Sequence, residues 1–468
     1  MTVTRTKTDE YLSELDRLLS EPLSSVRDRE SSSFDKLLAG CGNRLVLFGA
    51  GNLGRKVLQC LRSIGVEPLA FADNRVGGER RKEEERRRDE ERRREAQRKE
   101  EERKRADRRK GADRRGGVDR RTAEPYLRAN ADGREDFTPA VSSPDPSHQQ
   151  VMGLPVLSPQ EAAAQYGASA LFLITIWSRG HFYPETRVQL EGLGCTRVDS
   201  TAWLRWKFAD QLLPDFCQDL PHKVYEQAAE VRKAASLWAD DFSRREYLNQ
   251  VRWRALGDQD ALGPPIKEQS YFLDSLYRIN DGEVFVDCGA YTGDTAEQLI
   301  RKNPAFSRIV AIEADPQNFD RLTKWMGTLD ASVASRISAL NAAVGAKRGQ
   351  LRFQASGDEG ARLSADGNVV VECVPIDDLA TEAAPTFIKM DIEGAELDAL
   401  EGARRSIQKH RPILSICVYH KQNDLWRIPL FIHSLVEDYR LFLRPHYGDG
   451  WDLVCYAVPA NRLRGVVT

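Results

Sequence analysis

The sequence has 468 residues, of which 41% are hydrophobic, and a formal net charge of −2. This length exceeds one ordinary hydrophobic core and predicts two or three domains. The longest apolar run, Ala170–Trp177, is far short of the roughly 20 residues that a membrane-spanning helix needs.

The N-terminus lacks the continuous apolar segment of a secretory signal. Eight cysteines are scattered along the chain without a CxxC pair, which argues against a disulfide framework or a zinc site and favours free thiols in a reducing compartment. We therefore predict a cytoplasmic protein that has no membrane partner.

The charge is unevenly distributed. Residues 79–121 hold 21 Lys or Arg and 14 Asp or Glu, a local net charge of +7, whereas the other residues hold 48 and 57. Positive charge attracts nucleic acid, but the interleaved acidic residues and the lack of aromatic residues argue against that partner. We predict a spacer or a weak docking arm.

Residues 1–40 predict a helical lead-in, because apolar residues recur there at helical spacing. The next predicted domain, 41–205, begins with a strand, a glycine turn and a helix. Its turn is a complete GxGxxG motif, and an acidic residue ends the second strand, 24 residues after the first glycine. This pattern predicts a Rossmann-like nucleotide site, formed by Gly49, Gly51, Gly54 and Asp73.

An insertion, 79–147, interrupts this domain. Residues 79–110 have no apolar stripe, and acid–base pairs such as Glu83/Arg87 stand four residues apart in the favourable order. We predict a solvated lone helix of the coiled-coil type, followed by a disordered tail. Because the globular pattern resumes afterwards, the insertion is expected to be dispensable for folding and turnover.

The remainder of the chain divides into a helical bridge, 206–280, and a domain at 281–468. Strand and helix patterns alternate in the latter, which predicts a doubly wound α/β sheet closed by an antiparallel pair. The overall fold class is therefore α/β, with two Rossmann-like domains.

The stretch "VFVDCGAYTGDT" runs from a buried strand into a glycine turn that contains Asp287, Gly289 and Gly293. Such glycines allow a ligand to approach the backbone at a helix N-terminus. Glu313 ends the following strand, 26 residues after Asp287, where an acid accepts hydrogen bonds from ribose hydroxyls. The pattern favours an adenosyl site. The alternative is a turn that only packs a helix on a strand.

A second stretch, "FIKMDIEGAELDALEGA", places Lys389, Asp391 and Glu393 at the end of a strand. Ligands gather at the carboxyl ends of strands in such sheets. His420 ends the next strand on the same edge, and His446 is a weaker candidate of the same kind.

These stretches, with "AIEADPQNF", "LNAAVG" and "VPIDDL" between them, resemble the FkbM family of S-adenosylmethionine-dependent O-methyltransferases over about residues 270–458. The resemblance implies a class I methyltransferase sheet that binds S-adenosylmethionine. It implies that Asp287, Gly289 and Gly293 line the amino-acid end of the cofactor and that Glu313 holds the ribose. It also places two residues near the adenine, Asn341 and Ala342.

Methylation of an alcohol requires removal of its proton, so a carboxylate beside the methyl group is chemically suitable. We predict that Asp391 is this base or holds the acceptor, and that Lys389 pairs with Asp391 and keeps it ionised. Glu393 and Glu396 either contribute to the site or cap the next helix.

His420 is a candidate base or metal ligand. A divalent metal held by Asp391 and His420 is not favoured, because the sequence offers no obvious third ligand.

The N-terminal domain resembles the nucleotide-sugar-binding domain of PglD-type sugar acetyltransferases, apart from the charged insertion. A nucleotide sugar is therefore an expected partner. A degenerate Rossmann domain used only for packing is the alternative.

Together these patterns predict an enzyme, an S-adenosylmethionine-dependent O-methyltransferase that acts on a hydroxyl of a sugar, a glycan or a glycosylated metabolite. Two alternatives stay open: an NAD-dependent or nucleotide-sugar-binding enzyme that uses the GxGxxG domain, and an S-adenosylmethionine-sensing scaffold with a charged docking helix. The sequence does not specify the acceptor or the oligomeric state.

Overall fold

The structure is a computed structural model that describes residues 7–76, 150–357, 362–363, 366–379 and 384–464. The predicted charged insertion, 79–147, lies outside the described residues. No helix in these ranges is long and apolar enough to cross a membrane. All eight cysteines are buried free thiols.

The described helices are, in chain order, α1 (Lys7–Leu18), α2 (Leu23–Gly40), α3 (Asn52–Ser63), α4 (Pro159–Tyr166), α5 (Tyr183–Gly192), α6 (Ala202–Lys207), α7 (Ala209–Leu212), α8 (His222–Glu226), α9 (Ala228–Ala235), α10 (Asp241–Leu256), α11 (Asp294–Lys302), α12 (Pro316–Met326), α13 (Ala331–Ala334), α14 (Ile376–Leu379), α15 (Glu396–Glu401), α16 (Arg404–His410) and α17 (Asp424–Leu435).

The described strands are β1 (Leu45–Phe48), β2 (Ala70–Ala72), β3 (Gln150–Val151), β4 (Leu154–Leu157), β5 (Leu171–Ile174), β6 (Val198–Ser200), β7 (Val284–Cys288), β8 (Arg308–Glu313), β9 (Ile337–Asn341), β10 (Ala343–Val344), β11 (Gly349–Gln354), β12 (Arg362–Leu363), β13 (Val369–Val374), β14 (Phe387–Met390), β15 (Ile413–Cys417), β16 (Arg440–Pro445) and β17 (Leu453–Val458).

The chain forms two compact units. The smaller unit comprises the described residues of 44–173 and 190–197. Its strands run in the order β3-β4-β2-β1-β5, and β2 is parallel to both β1 and β4. With α3 between β1 and β2, this is the predicted Rossmann-like βαβ arrangement.

The larger unit comprises the described residues of 1–43, 174–189 and 198–468. Its main sheet has seven strands in the order β16-β17-β15-β14-β7-β8-β9. Strands β15, β14, β7, β8 and β9 run parallel to one another. Strand β17 is antiparallel to β15 and forms the predicted antiparallel pair with β16. The prediction of a Rossmann-like α/β fold is confirmed.

One part of the predicted sheet is separate. Strands β10 to β13 form a second sheet of four strands, although the sequence analysis assigned their patterns to one doubly wound sheet. The central strands β7, β14 and β15 are buried at every residue, whereas β11 alternates between exposed and less exposed residues. Strands of a sheet covered on both faces must be continuously apolar, so β11 does not suit the main sheet.

Helices cover the antiparallel edge of the main sheet. Buried residues of α1, α2, α9 and α10 belong to the same hydrophobic core as the sheet. The link to the sheet is also polar. Asp240 caps α10 by accepting from the Ser243 N–H at 2.8 Å, and Arg444 of β16 donates to its other carboxylate oxygen at 2.5 Å.

Asp240→Asn is expected to lower the free energy of unfolding by about 2 kcal/mol, because asparagine can still cap the helix but leaves Arg444 without its anionic partner. Burial raises the pKa of Asp240, but the hydrogen bond and charge of Arg444 and the hydrogen bonds from Ser243 together outweigh it, so the net pKa is lowered. A carboxylate whose pKa is lowered by folding stabilises the fold at pH values above its ordinary pKa. This stabilisation is lost as the pH falls below about 4. Urea unfolding at pH 7 and pH 3 measures both effects.

The matched control is Asp241→Asn. Asp241 pairs with Arg244 on the surface, and exposed pairs contribute little. Equal destabilisation by both substitutions would contradict the role given to Asp240.

Candidate functional site

Three polar side chains meet where β14 and β15 end. His420 Nε2 lies 3.3 Å from Asp391 Oδ1 and 3.7 Å from Glu393 Oε1. One oxygen or nitrogen from each residue lies within 4.8 Å of the other two. The structure thus brings together the predicted pair Asp391 and His420 and adds Glu393.

The backbone explains how Glu393 reaches this point. Glu393 has a φ of 55° and Gly394 a φ of 94°, both left-handed. A non-glycine residue rarely adopts this conformation. The chain therefore turns sharply after β14 instead of entering α15 directly, and Glu393 lies before that helix.

Glu396 is the first residue of α15 and is fully buried. Its Oε1 accepts from the Ile392 N–H at 3.0 Å and lies 2.8 Å from His420 Nδ1. This last distance is that of an ion pair, although the angle departs from that of a hydrogen bond. Glu396 therefore faces the opposite side of the imidazole from Asp391 and Glu393.

Asp391 is held in its ionised form. It accepts from the Tyr271 hydroxyl at 2.8 Å and from the Tyr419 hydroxyl at 3.4 Å. Burial alone would raise the pKa of Asp391, but contact with His420 and the charge of Lys389 hold it well below its usual range. Such a carboxylate is a good anion and hydrogen-bond acceptor but a weak base.

Glu393 differs from Asp391 in proton affinity. Burial raises the pKa of Glu393 to about 7, and the charges of Asp391 and Glu396 add to that rise against the opposing effect of His420. Burial would lower the pKa of His420, but the surrounding carboxylates raise it well above its usual value. By proton affinity, Glu393 is the better general base at neutral pH.

Lys389 was predicted to pair with Asp391, but its ammonium lies 3.1 Å from Asp287 Oδ1. It also donates to the Gly289 carbonyl at 2.6 Å. Lys389 is 2% exposed and Asp287 is fully buried. Since parallel pairing sets Lys389 opposite Asp287, this short ion pair ties β14 to β7, while the charge of Lys389 still lowers the pKa of Asp391.

Asp287 retains unused hydrogen-bonding capacity. Neither of its carboxylate oxygens has a hydrogen-bond partner among the described residues, because the Lys389 ammonium is close but not aligned. Burial raises the pKa of Asp287 to about 6 against the opposing charge of Lys389. A buried acceptor without a donor is costly unless a ligand supplies one.

The glycine turn after β7 is tightly packed. Gly289 has a φ of 76°, and a Cβ there would lie 1.9 Å from the Asp391 carbonyl oxygen. Gly293 has a φ of 94°, and a Cβ there would lie 2.3 Å from the Trp325 ring. Both positions therefore require glycine for the protein's own packing, independently of any ligand.

Glu313 ends β8 close to this turn. Its two carboxylate oxygens accept from the N–H groups of Tyr291 and Asp315, each at 2.8 Å. Burial raises the pKa of Glu313 to about 7, although these two backbone donors favour the ionised form. Each oxygen keeps a second lone pair that a ribose hydroxyl can use.

Asn341 ends β9 opposite Glu313, and Ala342 follows it. The Asn341 side chain donates to the Glu313 carbonyl at 2.9 Å and to the Ala314 carbonyl at 3.2 Å. Ala342 is buried. Asn341 thus ties β9 to the end of β8. Its side-chain oxygen can accept a hydrogen bond from an adenine.

Asp315 was not among the residues predicted from the sequence. This buried residue caps α12 by accepting from Gln317 and Asn318, and its second oxygen accepts from the N–H groups of Ser356 and Gly357. It therefore fixes the loop beyond Glu313. The signal was present as an Asp-Pro helix start in "EADPQNF".

Aromatic side chains surround the carboxylate and histidine group. The Phe216 ring lies 6.3 Å from that of Tyr419, 6.2 Å from that of His420 and 4.7 Å from that of Trp451, between centroids. The Trp177 ring lies 5.3 Å from that of Trp451. We call these four residues, Phe216, Tyr419, Trp451 and Trp177, the aromatic wall. No spacing in the sequence groups these four residues.

His446 belongs elsewhere. Its Nε2 lies 2.7 Å from the Tyr456 hydroxyl and its Nδ1 lies 3.3 Å from the Glu268 carbonyl oxygen. Burial lowers the pKa of His446 to about 4. It is therefore a neutral residue of the core.

The smaller unit brings its predicted glycines together with Asp73. Gly49 has a φ of 114°, Gly51 is the N-cap of α3, and Gly54 is buried within that helix. Asp73 accepts from the Ala50 N–H at 3.0 Å.

Asp73 is already paired with an arginine side chain. The Arg75 guanidinium donates to its two oxygens at 2.8 and 2.7 Å. Burial raises the pKa of Asp73, but hydrogen bonds from Arg75 and from the Ala50 N–H, together with the charge of Arg75, outweigh that effect and lower it. Because Arg75 donates to both carboxylate oxygens of Asp73, a ribose hydroxyl could form a hydrogen bond with Asp73 only if Arg75 moved. The nucleotide site of this unit stays a prediction.

Comparison with known proteins supports the assignment of the larger unit. Residues 287–449 match the family model of the Methyltransferase FkbM domain, so the chain carries a methyltransferase domain. A search of curated proteins found no match to the chain.

Among solved structures, the chain is similar to methyltransferase FkbM from Methylobacillus flagellatus KT, with 23% identity, a TM-score of 0.63, and coverage of 96% of this chain and 98% of that chain. A precorrin-6y C5,15-methyltransferase from Geobacter metallireducens GS-15 has 15% identity, covers 39% of this chain and 83% of its own, and gives a TM-score of 0.26. The first likeness supports the α/β fold of the described residues.

Proposed function

We propose that the protein is an S-adenosylmethionine-dependent O-methyltransferase that acts on a hydroxyl of a sugar, a glycan or a glycosylated metabolite. The observation that carries this proposal is the position of Asp391. Its N–H donates to the Cys288 carbonyl at 3.1 Å, directly beside the glycine turn. A carboxylate group for the acceptor thus adjoins the turn that is expected to receive the cofactor.

The residues around the turn fit S-adenosylmethionine. The buried carboxylate of Asp287 has acceptor oxygens without a hydrogen bond among the described residues, which suits an ammonium or hydroxyl donor. Glu313 can accept from ribose hydroxyls, and Gly289 and Gly293 form the turn between them. When bound, the cofactor supplies an electrophilic methyl group on a sulfonium centre.

The residues at the ends of β14 and β15 suit a hydroxyl acceptor. A hydroxyl must lose its proton when its oxygen is methylated. Asp391, held ionised, is suited to accept a hydrogen bond from that hydroxyl and orient it. Glu393, with a pKa of about 7, is suited to take the proton. The orienting and proton-accepting roles expected of Asp391 alone are therefore divided between two carboxylates, Asp391 and Glu393.

The aromatic wall supports a sugar as the acceptor. A sugar ring has apolar C–H faces and polar edges, so it fits a surface that combines aromatic rings with polar groups. The indole nitrogens of Trp451 and Trp177 are buried and have no hydrogen-bond partner among the described residues. Each can donate to a sugar oxygen.

The test is methyl transfer from radiolabelled S-adenosylmethionine to nucleotide sugars, free glycans and glycosylated small molecules, with non-sugar alcohols for comparison. We expect label in a base-stable ether on a sugar. Trp451→Ala should raise KM for this acceptor about fivefold, because a lost aromatic contact is worth on the order of 1 kcal/mol, and should change the affinity for S-adenosylmethionine little.

Phe242→Ala is the matched control, since Phe242 is a partly exposed aromatic residue on α10, away from the aromatic wall. Its KM should equal that of the wild type. Transfer only to non-sugar alcohols, or an unchanged KM in Trp451→Ala, would contradict the sugar assignment. Absence of transfer to any hydroxyl would contradict the reaction.

A further inference from the structure

The cluster of Asp391, Glu393 and His420 has the composition of a metal site. Two donors bound to a cation at about 2.1 Å and at right angles to each other are about 3 Å apart. His420 Nε2 already lies 3.3 Å from one carboxylate and 3.7 Å from the other. Small side-chain rotations would therefore bring all three donors to one point.

The setting of His420 is a second, independent observation. His420 is 6% exposed, and its Nε2, which faces the two carboxylates, has no hydrogen-bond partner among the described residues. On the other side of the ring, Nδ1 lies 2.8 Å from Glu396 Oε1. Histidine ligands of metals characteristically have such a carboxylate at the second nitrogen, which fixes the ring and directs the first nitrogen to the metal.

The charge of the cluster also favours a bound cation. Three carboxylates, Asp391, Glu393 and Glu396, surround one imidazole. The nearest lysines are engaged elsewhere, since Lys389 pairs with Asp287 and Lys421 donates to the Gly394 carbonyl. Excess negative charge at a largely buried site is unfavourable unless a cation compensates it.

We propose that Asp391, Glu393 and His420 bind one divalent cation. Two carboxylates and an imidazole suit a first-row ion such as Mn²⁺, whereas Mg²⁺ prefers oxygen ligands alone. Three protein ligands leave coordination positions for other groups. The third ligand that the sequence analysis did not find is Glu393, which the left-handed turn after β14 brings to the site.

The role of this cation rests on the proposed function. A hydroxyl that coordinates a divalent cation becomes more acidic. Its O–H bond breaks, the electron pair stays on the oxygen that is to be methylated, and the proton passes to the carboxylate oxygen of Glu393 that is not bound to the cation. Two neighbouring hydroxyls of a sugar could occupy two open positions, which would favour vicinal diols as acceptors.

The experiment measures Mn²⁺ binding to the chelator-treated full-length protein, without S-adenosylmethionine and without an acceptor. Electron paramagnetic resonance counts free Mn²⁺ during a titration. We expect one site per chain. Glu393→Gln should weaken it by about 100-fold, because loss of a direct ligand should cost at least as much as loss of a supporting group.

Asp398→Asn is the matched control, since this exposed carboxylate lies on α15 within a few residues of the site. It should bind Mn²⁺ like the wild type. His420→Asn tests the nitrogen ligand, with circular dichroism to check folding. Should it fail to fold, Glu393→Gln still decides, because Glu393 is only partly buried.

Absence of Mn²⁺ binding to the wild type, or binding that Glu393→Gln leaves unchanged, would overturn the proposal. This readout contains no methyl transfer, so it is separate from the test of the proposed function. Mn²⁺ binding with no transfer to any hydroxyl would retain the metal site and reject the reaction. Methyl transfer that a chelator does not inhibit, together with no Mn²⁺ binding, would retain the reaction and reject the metal site.

Discussion

Replacing Asp391 with asparagine is expected to lower kcat about 10²- to 10³-fold, the usual loss when one preorganised electrostatic contact to the reacting group is removed, while leaving the affinity for S-adenosylmethionine unchanged. Asparagine keeps the shape of the side chain and can still accept from the Tyr271 hydroxyl. It cannot carry the negative charge that contact with His420 and the charge of Lys389 stabilise. Initial rates with a sugar acceptor and calorimetric binding of the demethylated cofactor measure the two quantities.

The loss of kcat in Asp391→Asn has two alternative physical explanations, and a chelator distinguishes between them. If Asp391 acts by holding a cation, the wild type should lose activity in chelator and regain it with Mn²⁺, and Asp391→Asn should need more Mn²⁺ for its residual rate. If Asp391 contacts the acceptor directly, chelator should leave the wild type unaffected. Near-normal turnover of Asp391→Asn would contradict both, and His420 would be the next residue to replace.

Tyr271→Phe helps to separate positioning from charge. It removes the hydroxyl that donates to Asp391 at 2.8 Å but leaves the carboxylate charged. Its kcat should fall far less than that of Asp391→Asn. An equal fall would indicate that orientation of the carboxylate, rather than its charge, sets the rate.

The strand ends of the larger unit were predictable because parallel buried strands give continuous apolar runs, and polar residues that end such runs collect at one edge of the sheet. Asp287, Glu313, Asp391 and His420 were found in this way. The glycine turn was also predictable, although the structure adds that Gly289 is required by the carbonyl of a neighbouring strand.

Other features could not be read from local patterns. Glu393 joins Asp391 and His420 only because the backbone turns left-handed after β14, which no local rule assigns to glutamate. Lys389 pairs with Asp287 because strand register sets them opposite each other. The aromatic wall draws on three distant parts of the chain. Each depends on tertiary contacts between residues far apart in sequence.

Glu313→Ala is expected to weaken binding of the demethylated cofactor by about 10²- to 10³-fold, because hydrogen bonds to a charged group contribute about 1.5–3 kcal/mol each. Asp320→Ala, an exposed carboxylate on α12, should bind with wild-type affinity. Calorimetry measures both.

Loss of affinity in Glu313→Ala alone does not distinguish ribose binding from local collapse, because Glu313 also accepts from the N–H groups of Tyr291 and Asp315. A cofactor analogue without the ribose hydroxyls separates the two. If Glu313 holds the ribose, the wild type should bind this analogue weakly and Glu313→Ala should bind both ligands about equally. If Glu313 only supports the turn, the substitution should weaken both ligands by the same factor, which would contradict the assignment.

The pH dependence of cofactor binding gives a third readout of Glu313. Burial raises its pKa to about 7, with Asp315 adding to that rise and Lys389 opposing it. Ribose hydroxyls donate to the ionised carboxylate, so protonation removes the acceptor and weakens binding. For a pKa near 7 the wild-type Kd should therefore be about tenfold higher at pH 6 than at pH 8. Glu313→Gln, which does not titrate, should lose this dependence, whereas a slope that persists in Glu313→Gln would assign it to another group.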